Sequence, residues 1–187
     1  MKASLENLAE RAAAEGLLDV AYATVDSPFG QLLVAGTPRG LVKVNLPNHD
    51  AEQTLEDLAA RISPRVLEAP ARLDDVRRQL DRYFEGELHE FDLLLDWRLS
   101  AGFRRRALRA IDRIPYGRTR SYMQIARSAG NERAVRAAGT ACGTNPIPIV
   151  VPCHRVLRSG GGLGGYGGGV PMKEALLELE GALEREG

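Results

Sequence analysis

The sequence predicts an α+β fold, in which a small N-terminal three-stranded antiparallel sheet with helices precedes a mainly helical C-terminal domain. Residues 19–46 contain three short apolar runs separated by turn signals, which predict strands. Residues 50–87 carry apolar side chains at helical spacing, and residues 101–143 contain three helical segments joined by short turns. With 44% apolar and 27% charged residues, the composition is that of a soluble globular protein.

A chain of 187 residues is long enough for two small domains with real cores. We expect a helical N-terminal extension over residues 1–17, an α+β domain over residues 18–96 and a C-terminal domain over residues 97–187. These boundaries follow the change from strand patterns to helical patterns along the chain.

The N-terminal elements can be justified in order. Residues 3–15 predict a short amphipathic helix. The stretch DVAYATVDSPFGQLLVAGTPRGLVKVNL predicts three strands, because SPFG and GTPRG are turn signals. Apolar spacing predicts helices over residues 50–62 and 73–87. The alternating segment HEFDLLLDW, residues 89–97, predicts a further strand.

The C-terminal part is predicted to contain a helix-turn-helix. Residues 101–114 predict a helix that ends at the turn PYGRTRS. Two more helices, over residues 121–130 and 132–143, are capped by Ser121 and Asn131 and joined by a tight turn. The second of these would be a recognition helix. Its alanines and glycines either give it a shallow surface for a DNA groove or serve only helix formation and packing.

Positive charge is concentrated in one segment, although the chain as a whole has 25 basic and 25 acidic residues. Between Trp97 and Thr140 there are 11 arginines and two acids. The arginines are Arg98, Arg104, Arg105, Arg106, Arg109, Arg113, Arg118, Arg120, Arg127, Arg133 and Arg136. Arginine binds phosphate bidentately, so this segment predicts a nucleic-acid face. The alternative is a solvated helical surface.

Several classes of protein are disfavoured by the sequence. No window approaches about 18 consecutive apolar residues, so we expect no membrane span and no membrane partner. The first residues lack the apolar core of a secretory signal, and two cysteines do not make a disulfide scaffold. We therefore expect a cytoplasmic protein with reduced thiols, associated with the nucleoid if it is bacterial.

The segment VPCHRV, residues 151–156, places a cysteine beside a histidine. Cys153 becomes a nucleophile only where a base or positive charge stabilises its thiolate. Adjacent residues of a strand point to opposite faces, so His154 would have to reach the thiol through a turn or a bridging water. A last helix is predicted over residues 171–183, with Pro171 in its first turn. One of its glutamates could orient the histidine, but spacing does not choose among Glu174, Glu178 and Glu180.

Other roles for the cysteines fit the sequence less well. His49, His89, Cys142 and Cys153 have no recognised metal spacing, and a disulfide between the two cysteines would be unusual in a reducing compartment. GLGGYG, residues 162–167, matches a dinucleotide motif, but neither the preceding strand nor the following acid is present. A DNA-binding helix next to a reactive thiol instead implies chemistry on a base that has been flipped out of the duplex.

The stretches RAVRAAGTACGTNPIPIVVPCHRV and GGYGGGVPMKEALLELEG resemble the O6-alkylguanine-DNA alkyltransferases. The resemblance implies DNA repair by an irreversible, single-turnover S-methyltransferase, in which Cys153 accepts the alkyl group from O6 of guanine. It implies that His154 is a water-mediated base oriented by Glu180, that Asn145 holds the turn carrying the site, and that Tyr122 assists the flipped base and its protonation.

The resemblance also implies the binding surfaces. The recognition helix would enter the minor groove of double-stranded DNA containing O6-alkylguanine, with Arg136 filling the vacated stack. The implied DNA-contacting residues are Thr119, Ser121, Arg133, Ala134, Arg136, Ala137, Ala138 and Gly139. The implied guanine-pocket residues are Pro148, Val151, Gly165, Tyr166 and Gly167. Gly165 and Gly167 stand where polar residues, including a serine, are frequent in the family.

We expect no cofactor and a monomer, and the sequence leaves open whether copies cluster on DNA. Some members of the family carry a zinc site in the N-terminal domain, but this chain has no cysteine there, so we expect no metal site. Two rival functions remain for comparison. A lesion-binding relative would lack the acceptor cysteine, whereas Cys153 is present. A cysteine hydrolase using Cys153 and His154 would leave the arginine-rich segment unexplained.

Overall fold

The structure is a computed structural model that describes residue 11 and residues 15–183. It divides into two compact units. The first comprises the described residues up to Tyr83 together with Asp92–Leu99, and the second comprises Phe84–Phe91 and the described residues from Ser100 onward. The helix predicted over residues 3–15 falls mostly outside the described residues.

The first unit is built on a four-stranded sheet in the order β3-β2-β1-β4. Its strands are β1 (Val20–Val25), β2 (Leu32–Thr37), β3 (Gly40–Asn45) and β4 (Val66–Glu68). The first three pair antiparallel, as predicted, whereas β4 pairs parallel to β1. The predicted α+β class is confirmed, and β4 is an addition to the three predicted strands.

The strand predicted over residues 89–97 is wrong. This segment makes a single bridge to the edge of β3, where the Leu41 N–H donates to the Leu94 carbonyl at 2.8 Å. It then turns into a 3₁₀ helix, Trp97–Leu99. A Cβ atom on Gly40 would lie 2.1 Å from the Leu94 carbonyl oxygen, so glycine is required for this close approach. The alternation of apolar residues reflects one-sided packing without a continuous ladder.

Two α-helices complete the first unit. Helix α1 (Ala51–Arg61) begins after Asp50, whose carboxylate accepts from the Gln53 N–H at 3.1 Å and caps the helix. Helix α2 (Asp74–Phe84) follows a 3₁₀ turn, Pro70–Leu73. The core of the unit contains buried residues of the strands, of α1 and of the 3₁₀ helix, namely Val20, Leu33, Ala35, Val42, Leu58 and Leu99.

The second unit is mainly helical. Its helices are α3 (Gly102–Asp112), α4 (Tyr122–Ser128), α5 (Val135–Gly143) and α6 (Val170–Leu179). Two short parallel strands, β5 (Arg120–Ser121) and β6 (Val156–Leu157), and a 3₁₀ turn, Cys153–Arg155, lie between them. Helices α3, α4 and α5 pack pairwise against one another. No helix in the part of the chain described here could cross a bilayer.

Two local predictions in this unit require correction. Helix α5 begins at Val135 rather than at residue 132, because Asn131 caps a tight turn: the Ala134 N–H donates to its backbone carbonyl at 3.0 Å. The apolar run of residues 149–151 predicts a short buried strand, but the structure has none there. Ile149 has a φ of 75°, and the Val151 N–H donates back to the Ile147 carbonyl at 2.8 Å, so the segment is a tight buried turn.

Candidate functional site

The backbone at Cys153 forms a helical turn rather than the end of an extended strand. The 3₁₀ turn Cys153–Arg155 follows Pro152, whose carbonyl accepts from the Arg155 N–H at 2.9 Å. Because the backbone is not extended, Cys153 and His154 need not point to opposite faces as they would in a strand. The thiol is buried, with 4% of Cys153 exposed.

Asn145 connects the turn over residues 145–151 to the thiol. Its side-chain amide donates to the Val151 carbonyl at 2.8 Å and to the Cys153 Sγ at 3.1 Å. Its side-chain oxygen accepts from the Ile147 N–H at 3.0 Å. One side chain therefore fixes both the strained turn at Ile149 and the position of the sulfur.

Glu180 is the glutamate that orients His154. The Nε2 of His154 lies 2.8 Å from Glu180 Oε1, and both side chains are buried. Glu174 and Glu178, the other two candidates on the last helix, are exposed. Sequence spacing did not choose among the three glutamates. In the structure, Glu180, which lies immediately after α6, is the one that contacts His154.

Arg155 completes a buried ionic cluster. Its Nε donates to Glu180 Oε2 at 2.8 Å and its Nη2 donates to Glu180 Oε1 at 2.9 Å. Burial alone would raise the pKa of Glu180, but the hydrogen bonds and charges of His154 and Arg155 lower it to about 2. Glu180 is therefore a carboxylate at neutral pH and can only accept hydrogen bonds.

The ionisation of Glu180 fixes the tautomer of His154. Since the carboxylate accepts, the Nε2 of His154 carries the proton and Nδ1 keeps its lone pair. Burial lowers the pKa of His154, against the opposing effect of Glu180, so the ring is neutral at pH 7. The buried Nδ1 has no hydrogen-bond partner among the described residues. It is a base available to a proton donor that enters the site.

The free thiol is held in its neutral form. Burial raises the pKa of Cys153 to about 11, although the Asn145 hydrogen bond and the positive charge of Lys173 oppose this. A neutral thiol is a weak nucleophile, so the proton must leave during the reaction. A neutral histidine with a free Nδ1 lone pair is the group in this cluster that can take it.

The two tyrosines expected at the site lie in the second unit with the thiol. Tyr166 has a buried hydroxyl without a partner among the described residues, and its ring lies edge-on to His154, with the centroids 6.3 Å apart. Burial raises the pKa of Tyr122, and the nearby cysteines add to this. A Cβ atom on Gly164 would lie 3.0 Å from the Tyr122 hydroxyl, so the glycine loop (residues 158–171) packs directly against it.

The remaining expected pocket residues surround the same turn. Pro148 and Val151 are buried and joined by a backbone bridge. Gly167 is half-buried and Gly165 is exposed on the glycine loop. No group of three or more His, Cys, Asp or Glu side chains within the described ranges could hold a metal ion, and both cysteines are free thiols.

Sequence reasoning missed Lys173 as a member of the site. This lysine is fully buried in α6, and its ammonium donates to the Val156 carbonyl at 2.6 Å and to the Leu163 carbonyl. It thus ties α6 to β6 and to the start of the glycine loop. The signal was available in the sequence, because residue 173 shares a helical stripe with the apolar residues 176 and 177 and with residue 180.

The end of α6 that precedes Glu180 is braced by the turn before β5. The Tyr116 hydroxyl donates to the Leu179 carbonyl at 2.9 Å, and the ring of His89 stacks on Tyr116 at 4.1 Å. A Cβ atom on Gly117, which has a φ of 70°, would lie 2.9 Å from the Glu180 carbonyl oxygen. The position of Glu180 therefore depends on the sequence Tyr-Gly in this turn.

Of the residues expected to contact DNA, all except Ala138 are at least partly exposed. Ser121 caps α4 by a capping box with Gln124. On α5 and the preceding turn, Arg133, Arg136 and Ala137 are exposed, whereas Ala138 is fully buried. Its burial is at odds with the expected DNA contact of Ala138 and assigns this residue to helix packing. Thr119, Ser121, Ala134 and Gly139 are half-buried.

Two family models and a known relative match most of the chain. Residues 20–97 match a family model described as 6-O-methylguanine DNA methyltransferase, ribonuclease-like domain, and residues 102–182 match the DNA binding domain of the same name. A methylated-DNA–protein-cysteine methyltransferase of Mycobacterium bovis is 48% identical over 159 residues, which cover 85% of this chain and 91% of that protein.

Two further matches are a relative at lower identity and a solved structure. A constitutive methylated-DNA–protein-cysteine methyltransferase of Bacillus subtilis is 35% identical over 163 residues, covering 85% of this chain and 94% of that protein. A crystal structure of Mycobacterium tuberculosis OGT in complex with DNA is similar with a TM-score of 0.76 and 42% identity, covering 87% of this chain and 93% of the other.

Proposed function

The chain belongs to the O6-methylguanine DNA methyltransferase family, and from this premise we propose that Cys153 is the residue that takes the alkyl group. The chain is a methylated-DNA–protein-cysteine methyltransferase that acts on DNA in repair by alkyl transfer. The observation that carries the proposal for Cys153 is the buried cluster in which Asn145 holds its sulfur and Glu180 holds His154.

In the proposed reaction, Cys153 loses its proton to His154 Nδ1 through a bridging water. The thiolate then attacks the alkyl carbon on O6 of a flipped guanine. The carbon–sulfur bond forms as the carbon–oxygen bond breaks, and the bonding electrons remain with the guanine. The leaving base takes a proton from the Tyr122 hydroxyl, which regains one from solvent or from the imidazolium. The thioether is stable, so each molecule acts once.

The charges of the cluster support this sequence of steps. Glu180 stabilises the imidazolium that forms when His154 takes the proton, because the carboxylate is already ionised at neutral pH. Lys173 contributes positive charge that lowers the pKa of Cys153 against the effect of burial. A thiol that remains neutral in the free protein is protected from unrelated alkylating agents until the substrate arrives.

Mass spectrometry after incubation with duplex DNA containing O6-methylguanine tests the acceptor. We expect one added methyl group on the peptide that contains Cys153, and no more than one turnover per molecule. The C153S variant should stay unmethylated, and the matched control C142S should react like the parent. A methyl group on Cys142, unchanged mass with tight binding, or repeated turnover would contradict the proposal.

We also propose that α5 enters the minor groove of lesion-containing duplex DNA, where Arg136 replaces the flipped base in the stack. Its exposed position on α5 and the planar face of the guanidinium support this role. R136A should slow transfer from duplex substrate by about tenfold or more while transfer from single-stranded substrate is little changed. R133A is the control, because loss of a phosphate contact weakens both substrates and lowers the salt dependence.

We propose that the protein acts as a monomer on DNA. The acceptor, the base, the orienting carboxylate and the anchoring amide all come from one unit of one chain. Sedimentation with a short lesion duplex should then give one protein per duplex at stoichiometric concentrations.

A further inference from the structure

A cleft of about 660 Å³ lies in the second unit, outside the site of Cys153. Its lining includes Arg106, Arg109, Arg113 and Arg120. Four of the ten lining residues are arginines, and no carboxylate is among them. Neither the proposed alkyl transfer nor the proposed role of α5 uses any of these arginines.

The arginines of the cleft are spread along a line and are not gathered at one point. Arg106, Arg109 and Arg113 follow one another at helical spacing on α3 and just beyond it, so they share a stripe that extends over about 10 Å. Arg106 is fixed in place, since its Nε donates to the Ala129 carbonyl at 2.9 Å and its guanidinium lies over Phe103. Arg120 adds a fourth positive charge from β5.

The arginines of the row repel one another. Like charges four residues apart, such as Arg109 and Arg113, destabilise a helix. Asp112 interacts with both through its charge but does not line the cleft. An anion bound in the cleft would reduce the repulsion between the arginines.

The cleft and the recognition helix share no residues. Helices α3, α4 and α5 pack pairwise, and α5 contributes no residue to the lining. Arg120 adjoins Thr119 and Ser121, which are expected to contact the first duplex, whereas Arg106, Arg109 and Arg113 lie on α3 and just beyond it. The α3 row is therefore the part of the cleft that a duplex on the outer face of α5, where Arg136 is exposed, does not use in the proposed binding mode.

A row of arginines of this length fits the backbone of duplex DNA. One strand carries a phosphate about every 3.4 Å along the helix axis, so about 10 Å spans roughly three phosphates. Arginine pairs bidentately with phosphate, and the arginine-rich segment contains no lysine. A single free phosphate could contact only one or two of the four guanidinium groups, whereas a polymer could contact them all.

We propose that this cleft is a second DNA-binding site, which holds the phosphate backbone of a second duplex segment while α5 engages the first. One protein molecule would then bridge two segments and could pass between them during the search for damage. The inference shares with the proposed function the assignment of α5 to DNA, but it does not depend on the chemistry of Cys153.

The test is a capture experiment. A duplex containing O6-methylguanine is fixed to beads and loaded with protein in a C153S background, so that the lesion persists. A labelled lesion-free duplex is then added, and the captured amount is measured between 50 and 200 mM salt. The double variant R109Q/R113Q removes two charges from the cleft. The control R39Q/R78Q removes two exposed charges from the first unit.

We expect the parent and R39Q/R78Q to capture the second duplex, and R109Q/R113Q to capture at least about tenfold less at low salt. The slope of log affinity against log salt should fall by about 2, since two phosphate contacts are lost. With Cys153 restored, methyl transfer on an isolated duplex should differ by less than about twofold. Capture should decline again at excess protein, because separate copies then occupy each duplex.

Four outcomes would overturn the proposal. They are absence of capture by the parent, equal capture by R109Q/R113Q, capture that keeps rising with excess protein, and displacement of the second duplex by an equimolar free nucleotide. The third would assign the cleft to contact between copies and the fourth to a small phosphate ligand. Loss of methyl transfer in Cys153-containing parent protein would instead refute the proposed function, and leave the capture result standing.

Discussion

Replacing Glu180 by glutamine tests the buried cluster that holds His154. The carboxylate accepts three hydrogen bonds, one from His154 and two from Arg155. Glutamine has nearly the same shape, but only one of its two terminal atoms is an acceptor, so its NH₂ group would face a donor. The variant therefore removes the charge of Glu180 and leaves Arg155 buried without its ionic partner.

The structure gives two measures of the cost. Lowering the pKa of Glu180 from 4.5 to about 2 corresponds to roughly 3 kcal/mol of folding free energy. Breaking a buried ion pair by removing one partner typically costs 3–5 kcal/mol, as an order of magnitude. We therefore expect E180Q to lose about 3 kcal/mol of unfolding free energy. The control E174Q, an exposed position on α6, should lose less than about 0.5 kcal/mol.

The same change should reduce the rate of alkyl transfer. Without the carboxylate, His154 no longer gains a stabilising charge as it takes the proton, and positioned acid–base groups typically contribute 10²–10⁴ in rate, as an order of magnitude. Single-turnover transfer by E180Q should therefore be slower by about 100-fold, measured where the variant remains folded.

The pH dependence of stability gives a further check. Because the folded pKa of Glu180 is depressed, its contribution is present above about pH 4.5 and is lost as the pH falls towards 2. Unfolding free energy should fall over this range in the parent and less steeply in E180Q. An E180Q protein with parental stability and a transfer rate within about twofold of the parent would refute this account of the cluster.

Three other substitutions or measurements test separate contacts. In a C142S background, the rate of Cys153 alkylation by iodoacetamide should rise about tenfold per pH unit from 7 to 10, because burial raises the thiol pKa to about 11. A plateau in this rate near pH 8.5 would contradict the prediction. N145A should lower the unfolding free energy by roughly 2–5 kcal/mol, because the Val151 carbonyl and the Ile147 N–H lose their partner; denaturation in urea measures this. G164A should slow transfer by about tenfold, because its Cβ would contact the Tyr122 hydroxyl and its backbone φ of 69° costs a non-glycine residue about 1 kcal/mol or more. The control G160A, which has open space around the added Cβ, should react at the parental rate.

The fold was predictable where a periodic pattern extended over a whole element. Strands β1 to β3 and helices α1 to α4 were recognisable because their apolar residues repeat with the period of the element. Strand β4 was missed because three residues are too few for a pattern, and its pairing with β1 depends on the path of the chain after α1. The strand predicted over residues 89–97 was wrong because alternation reports burial on one side, not a partner strand.

The site was predictable in its members but not in its geometry. The proposed acceptor motif can be read from the sequence, but the 3₁₀ turn that begins at Cys153 cannot, since it depends on a buried turn stabilised by Asn145. The helical stripe of α6 carried a further signal, which the sequence prediction did not use. Positions 173, 176, 177 and 180 share one face, so a lysine and a glutamate on an otherwise apolar stripe indicate buried charges with partners.

The buried polar atoms of the site suggest that it is completed by its substrate. Most buried polar groups in proteins are hydrogen-bonded, yet His154 Nδ1 and the Tyr166 hydroxyl have no partner among the described residues. Both belong to residues around a thiol whose pKa is raised by burial. A flipped base and an accompanying water would supply partners for these atoms and a path for the proton. The same burial that keeps the free thiol unreactive would then strengthen each electrostatic contact once the base has entered.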